Sequence, residues 1–224
     1  PLDGYRRVVA PMLYLVKPGL AERLERFVRG GGTLVGTYWS GIVDEHDLCF
    51  LGGFPGPLRS LLGIRSEEID GLHPGQRNAL VMNRRNALGL PGTFEVRDLC
   101  DLVHLETAEA LATYARDFYA GRPAVTVNTF GDGSAFYLAA RTGEPFLDAF
   151  YGRIADRVGL PRAVDRPLPE GVSATVRADD RSTFLFVMNF ATEPRRVEVG
   201  AGWTDAVGGR PTPSRLALGA YGVK

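Results

Sequence analysis

Between Gly36 and Cys49 the chain places a serine, a thiol, an imidazole and three carboxylates: Ser40, Cys49, His46, Asp44, Glu45 and Asp47. Acyl transfer needs a nucleophile exposed in a tight glycine turn with a base beside it. Gly36-x-Tyr38-x-Ser40 comes close to that pattern, but Tyr38 stands where Ser or Cys belongs and the second glycine is displaced to Gly41. Trp39 separates the two candidates. Ser40 or Cys49 working with His46 would make a hydrolase- or amidotransferase-like centre, yet neither sits in the turn that exposes a nucleophile above a sheet. His73 and His104 are the other histidines. His104 alternates with apolar Leu102, Val103 and Leu105 and reads as a satisfied strand residue.

Asp44-Glu45-His46-Asp47 gathers metal-capable groups, but neighbours on extended chain point apart and do not converge on one ion. The segment reads as a solvated loop or as a helix N-terminus, where acids suit the dipole. No metal and no cofactor are expected. Glycoside hydrolysis needs two carboxylates held across a cleft; with 26 acidic residues in the chain, pairs arise by chance and point nowhere. Tyr14, Tyr38, Trp39 and Trp203 could stack on sugars, although aromatics at strand ends more often serve a core or an interface. Gly131-x-Gly133 is a hairpin turn and not a phosphate loop, because no helix follows it.

The elements that must position these groups read as follows. Arg7 to Leu15 is a continuous apolar run, a strand covered on both faces. Pro18 opens a helix to Gly30 with Leu20, Leu24, Phe27 and Val28 on one face. Thr33 to Tyr38 is a second buried strand, completing a βαβ unit. Ile64 to Asp70 suggests an edge strand, and His73 to Gly92 is polar and turn-rich. Strands follow at Leu99–Glu106, Glu109–Ala115, Ala124–Phe130 and Ser134–Ala139, the last two joined by a Gly131-Asp132-Gly133 hairpin. Glu144 to Val158 is a helix closed by Gly159. Three prolines between Pro161 and Pro169 mark a linker. Beyond it Val172–Arg177, Thr183–Asn189, Arg195–Val199 and Leu216 onward read as a small antiparallel module, for which carbohydrate binding through Trp203 is an alternative role.

Formal net charge is zero with 45% hydrophobic residues, which gives no electrostatic reason for a nucleic-acid or membrane partner. No apolar stretch approaches the roughly 20 residues of a membrane helix, and no signal peptide opens the chain. Cys49 and Cys100 match no zinc spacing and read as two reduced thiols, with one disulfide as the alternative, so a cytoplasmic setting is expected. Both ends read as cut from a longer protein.

Four stretches together resemble the non-catalytic part of glycoside hydrolase family 42 β-galactosidases. They are VVAPMLYLV (Val8 to Val16), GGTLVGTYWSGIVDEHDL (Gly31 to Leu48), GGFPGPLRSLLGI (Gly52 to Ile64) and the segment Leu111 to Arg141. The resemblance implies a middle domain of class I glutamine-amidotransferase type without the catalytic cysteine, serving trimerisation, over residues 1–162. It further implies a C-terminal β-sandwich-like domain over 163–224. A flavodoxin-like, mostly parallel sheet flanked by helices is the fold expected for the first. The family's two catalytic glutamates belong to a barrel with no counterpart here, so no catalytic residue carries over. Tyr38, Trp39, Ser40, Asp44 and Glu45 are then interface residues or relics of an elbow. The partners implied are other copies of the chain, as a trimer, and the catalytic barrel of the same polypeptide. Tyr38 is expected at the end of its strand with no hydrogen-bonded His–carboxylate pair beside it.

Overall fold

The computed structural model describes residues 2–224. They divide into two compact units, residues 2–160 and Pro161–Lys224.

In the first unit the chain order is β1 (Arg7–Ala10), α1 (Leu20–Arg29), β2 (Thr33–Thr37), then a short 3-10 turn leading into α2 (Arg59–Leu62). It continues through β3 (Ile64–Gly71), β4 (Asn78–Met82), β5 (Thr93–Leu105) and β6 (Glu109–Tyr114). β7 (Pro123–Phe130), β8 (Gly133–Leu138), β9 (Ala140–Thr142) and α3 (Glu144–Arg157) complete it. All nine strands join one mixed sheet of order β1-β2-β8-β7-β6-β4-β5-β3, with β9 paired to β5. Because β9 continues β8 across Ala139, the path from β8 through β7, β6, β4 and β5 returns to its own start. That ring brings Asp101, in the middle of β5, beside β8: the Asp101 amide donates to the Ala139 carbonyl at 2.7 Å.

The expected mostly parallel, flavodoxin-like sheet is corrected. Only β1–β2 and β2–β8 are parallel; every other ladder runs antiparallel. A parallel neighbour requires a crossover of a dozen or more residues, usually helical. α1 supplies one such crossover, whereas the strands from β3 to β8 follow one another through turns and loops without a helix.

α1 forms because Ala21, Leu24 and Val28 recur on one face while Glu22 opens its first turn and Arg26 and Arg29 close its last, matching the dipole. Its buried face meets Leu34 of β2 and Ala135 and Tyr137 of β8, together with Leu58, Leu61 and Leu62 around α2. The alternate residues Val35, Phe136 and Leu138 point to the other face, where Phe146, Phe150 and Ile154 of α3 pack. Helices therefore cover both faces of the central strands. The β7–β8 hairpin needs glycine at Gly133, where a Cβ would lie 2.1 Å from the Val28 carbonyl oxygen.

Arg7 to Leu15 is not one strand covered on both faces. β1 ends at Ala10, pairs only with β2, and leaves Val9, Met12 and Tyr14 exposed. The chain turns at Met12, with φ 44°, and its amide donates to Thr37 Oγ1 at 2.8 Å. The stretch His73 to Gly92 contains β4, whose Leu80 and Met82 are buried.

The second unit holds two antiparallel pairs, β10 (Val172–Ala178) with β11 (Thr183–Asn189), and β12 (Arg195–Glu198) with β13 (Arg215–Leu218). Val187, Val197, Val199, Leu216 and Leu218 form its common core. Asn189 is buried with both polar atoms bonded: Nδ2 donates to the Glu193 and Gly219 carbonyls, and Oδ1 accepts from the Ala191 amide.

Candidate functional site

The loop that leaves the C-terminal end of β2 is the place where open α/β sheets put their chemistry. Tyr38 continues the ladder, its amide donating to the Leu138 carbonyl at 2.7 Å. The strained position is the next residue: Trp39 has φ 57°, a left-handed conformation that a bulky aromatic adopts only when its surroundings impose it. The elbow therefore turns at Trp39, one residue beyond the position the spacing gave to Tyr38. No helix follows, and a loop returns the chain to Val43, which bridges Leu15.

Ser40 is 2% exposed. Its hydroxyl donates to the Thr37 carbonyl at 2.7 Å and accepts from the Leu13 amide at 3.0 Å. Those two bonds tie the elbow to the end of β2 and to the segment after β1. Gly41 completes the turn with φ 66°, and a Cβ there would stand 2.0 Å from the Pro55 carbonyl oxygen. Only glycine fits.

Among the described residues no imidazole is hydrogen-bonded to this serine. His46, on the surface, lies 3.7 Å from Glu45. His104 Nε2 stands 2.6 Å from Glu67, which also receives Arg122 at 2.7 Å. The His73 amide bonds Gln76. Cys49 is an exposed free thiol and Cys100 a buried one, its pKa raised by burial to about 11. Asp44 Oδ1 accepts the His46 and Leu48 amides at 2.8 and 3.1 Å. These bonds close a turn in a solvated loop and hold the carboxyl below its ordinary range. Glu45 points to solvent beside His46. Among the described residues no group of three or more His, Cys, Asp or Glu side chains could hold a metal ion.

What the elbow does have beneath it is Asp101, 1% exposed. Its Oδ2 accepts the Trp39 amide at 3.0 Å and the Tyr137 hydroxyl at 2.5 Å, while Oδ1 has no partner. Burial raises its pKa to about 6 against the pull of both donors. The sequence signal was present, a single acid inside the apolar run Leu99 to Val103, where an unpaired charge is costly. Around Tyr38 the outer charges pair among themselves, Arg141 with Asp98 at 3.1 Å.

Above the elbow the surface is apolar. Trp39 (37% exposed) meets Tyr14 edge to face at a 6.0 Å ring separation, and Tyr14 donates its hydroxyl to Asp47 at 2.9 Å. Val9, Met12, Leu48 and Leu51 are exposed along the same stretches of chain. In the second unit Trp203 is half-buried, with Nε1 donating to the Val199 carbonyl at 2.9 Å, and it packs against that unit's core.

A mixed sheet with helices on both faces, carrying a strand-end elbow framed by exposed aromatics, defines a domain of α/β type. The chain belongs to the family described as the beta-galactosidase trimerisation domain, which matches residues 1–161, and the beta-galactosidase C-terminal domain matches residues 171–224. Beta-galactosidase BglY of Alicyclobacillus acidocaldarius is 52% identical over 224 residues, covering 100% of this chain and 33% of that protein. Beta-galactosidase Pbg of Clostridium perfringens is 50% identical over 221 residues, 98% of this chain and 32% of that protein. Among solved structures, the cold-adapted beta-galactosidase of Rahnella sp. R3 aligns at a TM-score of 0.93 with 48% identity, covering 100% of this chain and 32% of that one. The chain thus spans about a third of the length of the curated relatives it matches. The matched parts are the trimerisation and C-terminal domains, not a catalytic barrel.

Proposed function

We propose that this chain is the non-catalytic assembly and accessory region of a β-galactosidase whose full-length form hydrolyses terminal β-D-galactosides. In this reading the unit up to about residue 162 brings copies of the polypeptide together as a homotrimer, and the following β unit is an accessory domain. The observation that carries it is Ser40. Its hydroxyl spends both its donor and an acceptor on backbone groups, and among the described residues no histidine is bonded to it. A scaffold whose elbow serine serves as a structural staple is suited to holding a surface in shape. That surface is the exposed row of Val9, Met12, Tyr14 and Trp39 with Leu48 and Leu51 in the following loop. Burying such side chains between protomers is worth about 25 cal/mol per Å² of apolar area, and a trimer closes by repeating one heterologous contact. Tyr38, Asp44 and Glu45 border this row and take its polar rim. Two free cysteines fit a reducing, cytoplasmic compartment. No helix among the described residues is long and apolar enough to cross a membrane.

Light scattering of this chain tests the assembly reading. Three times the protomer mass is expected at micromolar concentration, with no turnover of a chromogenic galactoside. A monomer at every concentration, or turnover lost on Ser40→Ala, would overturn it.

A further inference from the structure

We infer that Asp101 is a proton-operated latch that seats the Trp39 elbow, so that the state of one buried carboxyl governs the surface offered to a partner. The inference rests on the assembly reading for its consequence but not for its geometry. Asp101, on the far strand β5, accepts a hydrogen bond from the elbow backbone, and it also ties Tyr137 of β8 to the same oxygen. Both donors address Oδ2. Oδ1 is left without a partner, so a proton can sit there without displacing either bond. The groups facing Asp101 are Tyr137 from β8, Tyr114 from β6, Tyr38 from the elbow and Cys100 from its own strand. All four are shifted upward and stay neutral near pH 7, and none of them is a cation. Asp98, Arg97 and Arg141 lie beyond, around Tyr38.

The direction follows from linkage. With the elbow seated, the carboxyl is dry and binds its proton more tightly than a hydrated one. Proton uptake therefore favours the seated elbow. Ionisation favours conformers that admit water to Asp101, and these must lift Trp39, whose amide closes over the carboxyl. A shift from 3.8 to about 6 corresponds to roughly a hundredfold change in that balance. Trp39 moves with its own amide, and Tyr14 loses its edge-to-face partner.

The experiment uses the chain with Trp203→Phe, leaving Trp39 as its one tryptophan, and follows fluorescence emission and light-scattering mass from pH 4.5 to 8. A single emission transition centred near 6 is expected, with the assembled fraction falling as pH rises through it. Asp101→Asn, neutral at every pH, is expected to hold the acid-form spectrum and mass to pH 8. Tyr137→Phe removes a bond that favours the carboxylate and is expected to move the midpoint upward; it keeps the test decisive if the asparagine variant does not fold. A flat profile, or a midpoint unmoved by both changes, would overturn the latch. A titrating Trp39 in a chain that stays monomeric throughout would leave the latch standing and overturn the assembly reading.

Discussion

The backbone amide of Trp39 donates to Oδ2 of Asp101 at 3.0 Å across 62 residues of sequence. A surface aromatic in a left-handed turn thus rests on a buried carboxyl whose second oxygen is unsatisfied. Strain and an incomplete hydrogen-bond set meet at one loop, and both cost stability that a purely structural turn need not spend.

The cost is measurable through pH. The folded-state pKa of Asp101 lies above its unfolded value, so its contribution is fully present below 3.8 and is lost as pH rises through about 6. Over that window the loss is on the order of 3 kcal/mol. Asp44, Glu67 and Glu106 shift the opposite way and add stability as pH rises. Subtracting the urea stability profile of Asp101→Asn from that of the parent isolates the Asp101 slope. A difference that does not change between pH 4 and 7.5 would contradict the burial argument.

Ser40→Ala removes the hydroxyl that joins the Thr37 carbonyl to the Leu13 amide. An unsatisfied backbone amide costs about 1–3 kcal/mol, so the variant is expected to unfold at lower urea with an unchanged slope. If Ser40 were instead a poised nucleophile, the alanine variant would fold as well as the parent.

How much of this was legible in the sequence varies from element to element. α1, β2 and the β7–β8 hairpin announce themselves through local periodicity and turn glycines, because short-range sterics decide them. The antiparallel majority of the sheet was hidden. Strand direction depends on which distant strands pair, and a βαβ opening says nothing about β3 to β7. β4 was masked by its setting, with Asn78 at its start and Asn83 and Arg84 just beyond it. At the site, the missing nucleophile was visible in the spacing of Gly36, Tyr38 and Ser40. The strained residue was placed one position early, since a turn's φ angles do not follow from composition. Asp101 could not be connected to Trp39 without the ring closure that β9 makes with β5.

Val9→Lys tests the assembly surface without disturbing the elbow. Val9 is exposed on β1, an edge strand hydrogen-bonded only to β2. Lysine on an edge blocks further pairing and adds a charge that a buried contact must desolvate. Substitution at an exposed position away from special features changes folding stability by about 0.5 kcal/mol or less. Light scattering is therefore expected to show loss of the oligomer while the melting curve of the dissociated protein stays in place. An oligomer that survives Val9→Lys would move the interface away from the β1 edge.

The two thiols separate the first unit's surface from its core. Cys49 is exposed in the loop after the elbow, whereas Cys100 is fully buried beside Asp101, and burial raises its pKa to about 11. Reagents attack the thiolate and need access to it. Native protein is therefore expected to release one equivalent of chromophore from a disulfide reagent promptly, and the second only on unfolding. Cys49→Ser would abolish the fast phase, and assembly through the neighbouring Leu48 and Leu51 would slow it with rising protein concentration. Two fast equivalents in the native state would mean that β5 opens beside Asp101 far more readily than its packing allows. A concentration-independent fast phase would place the loop of Cys49 outside the contact between copies.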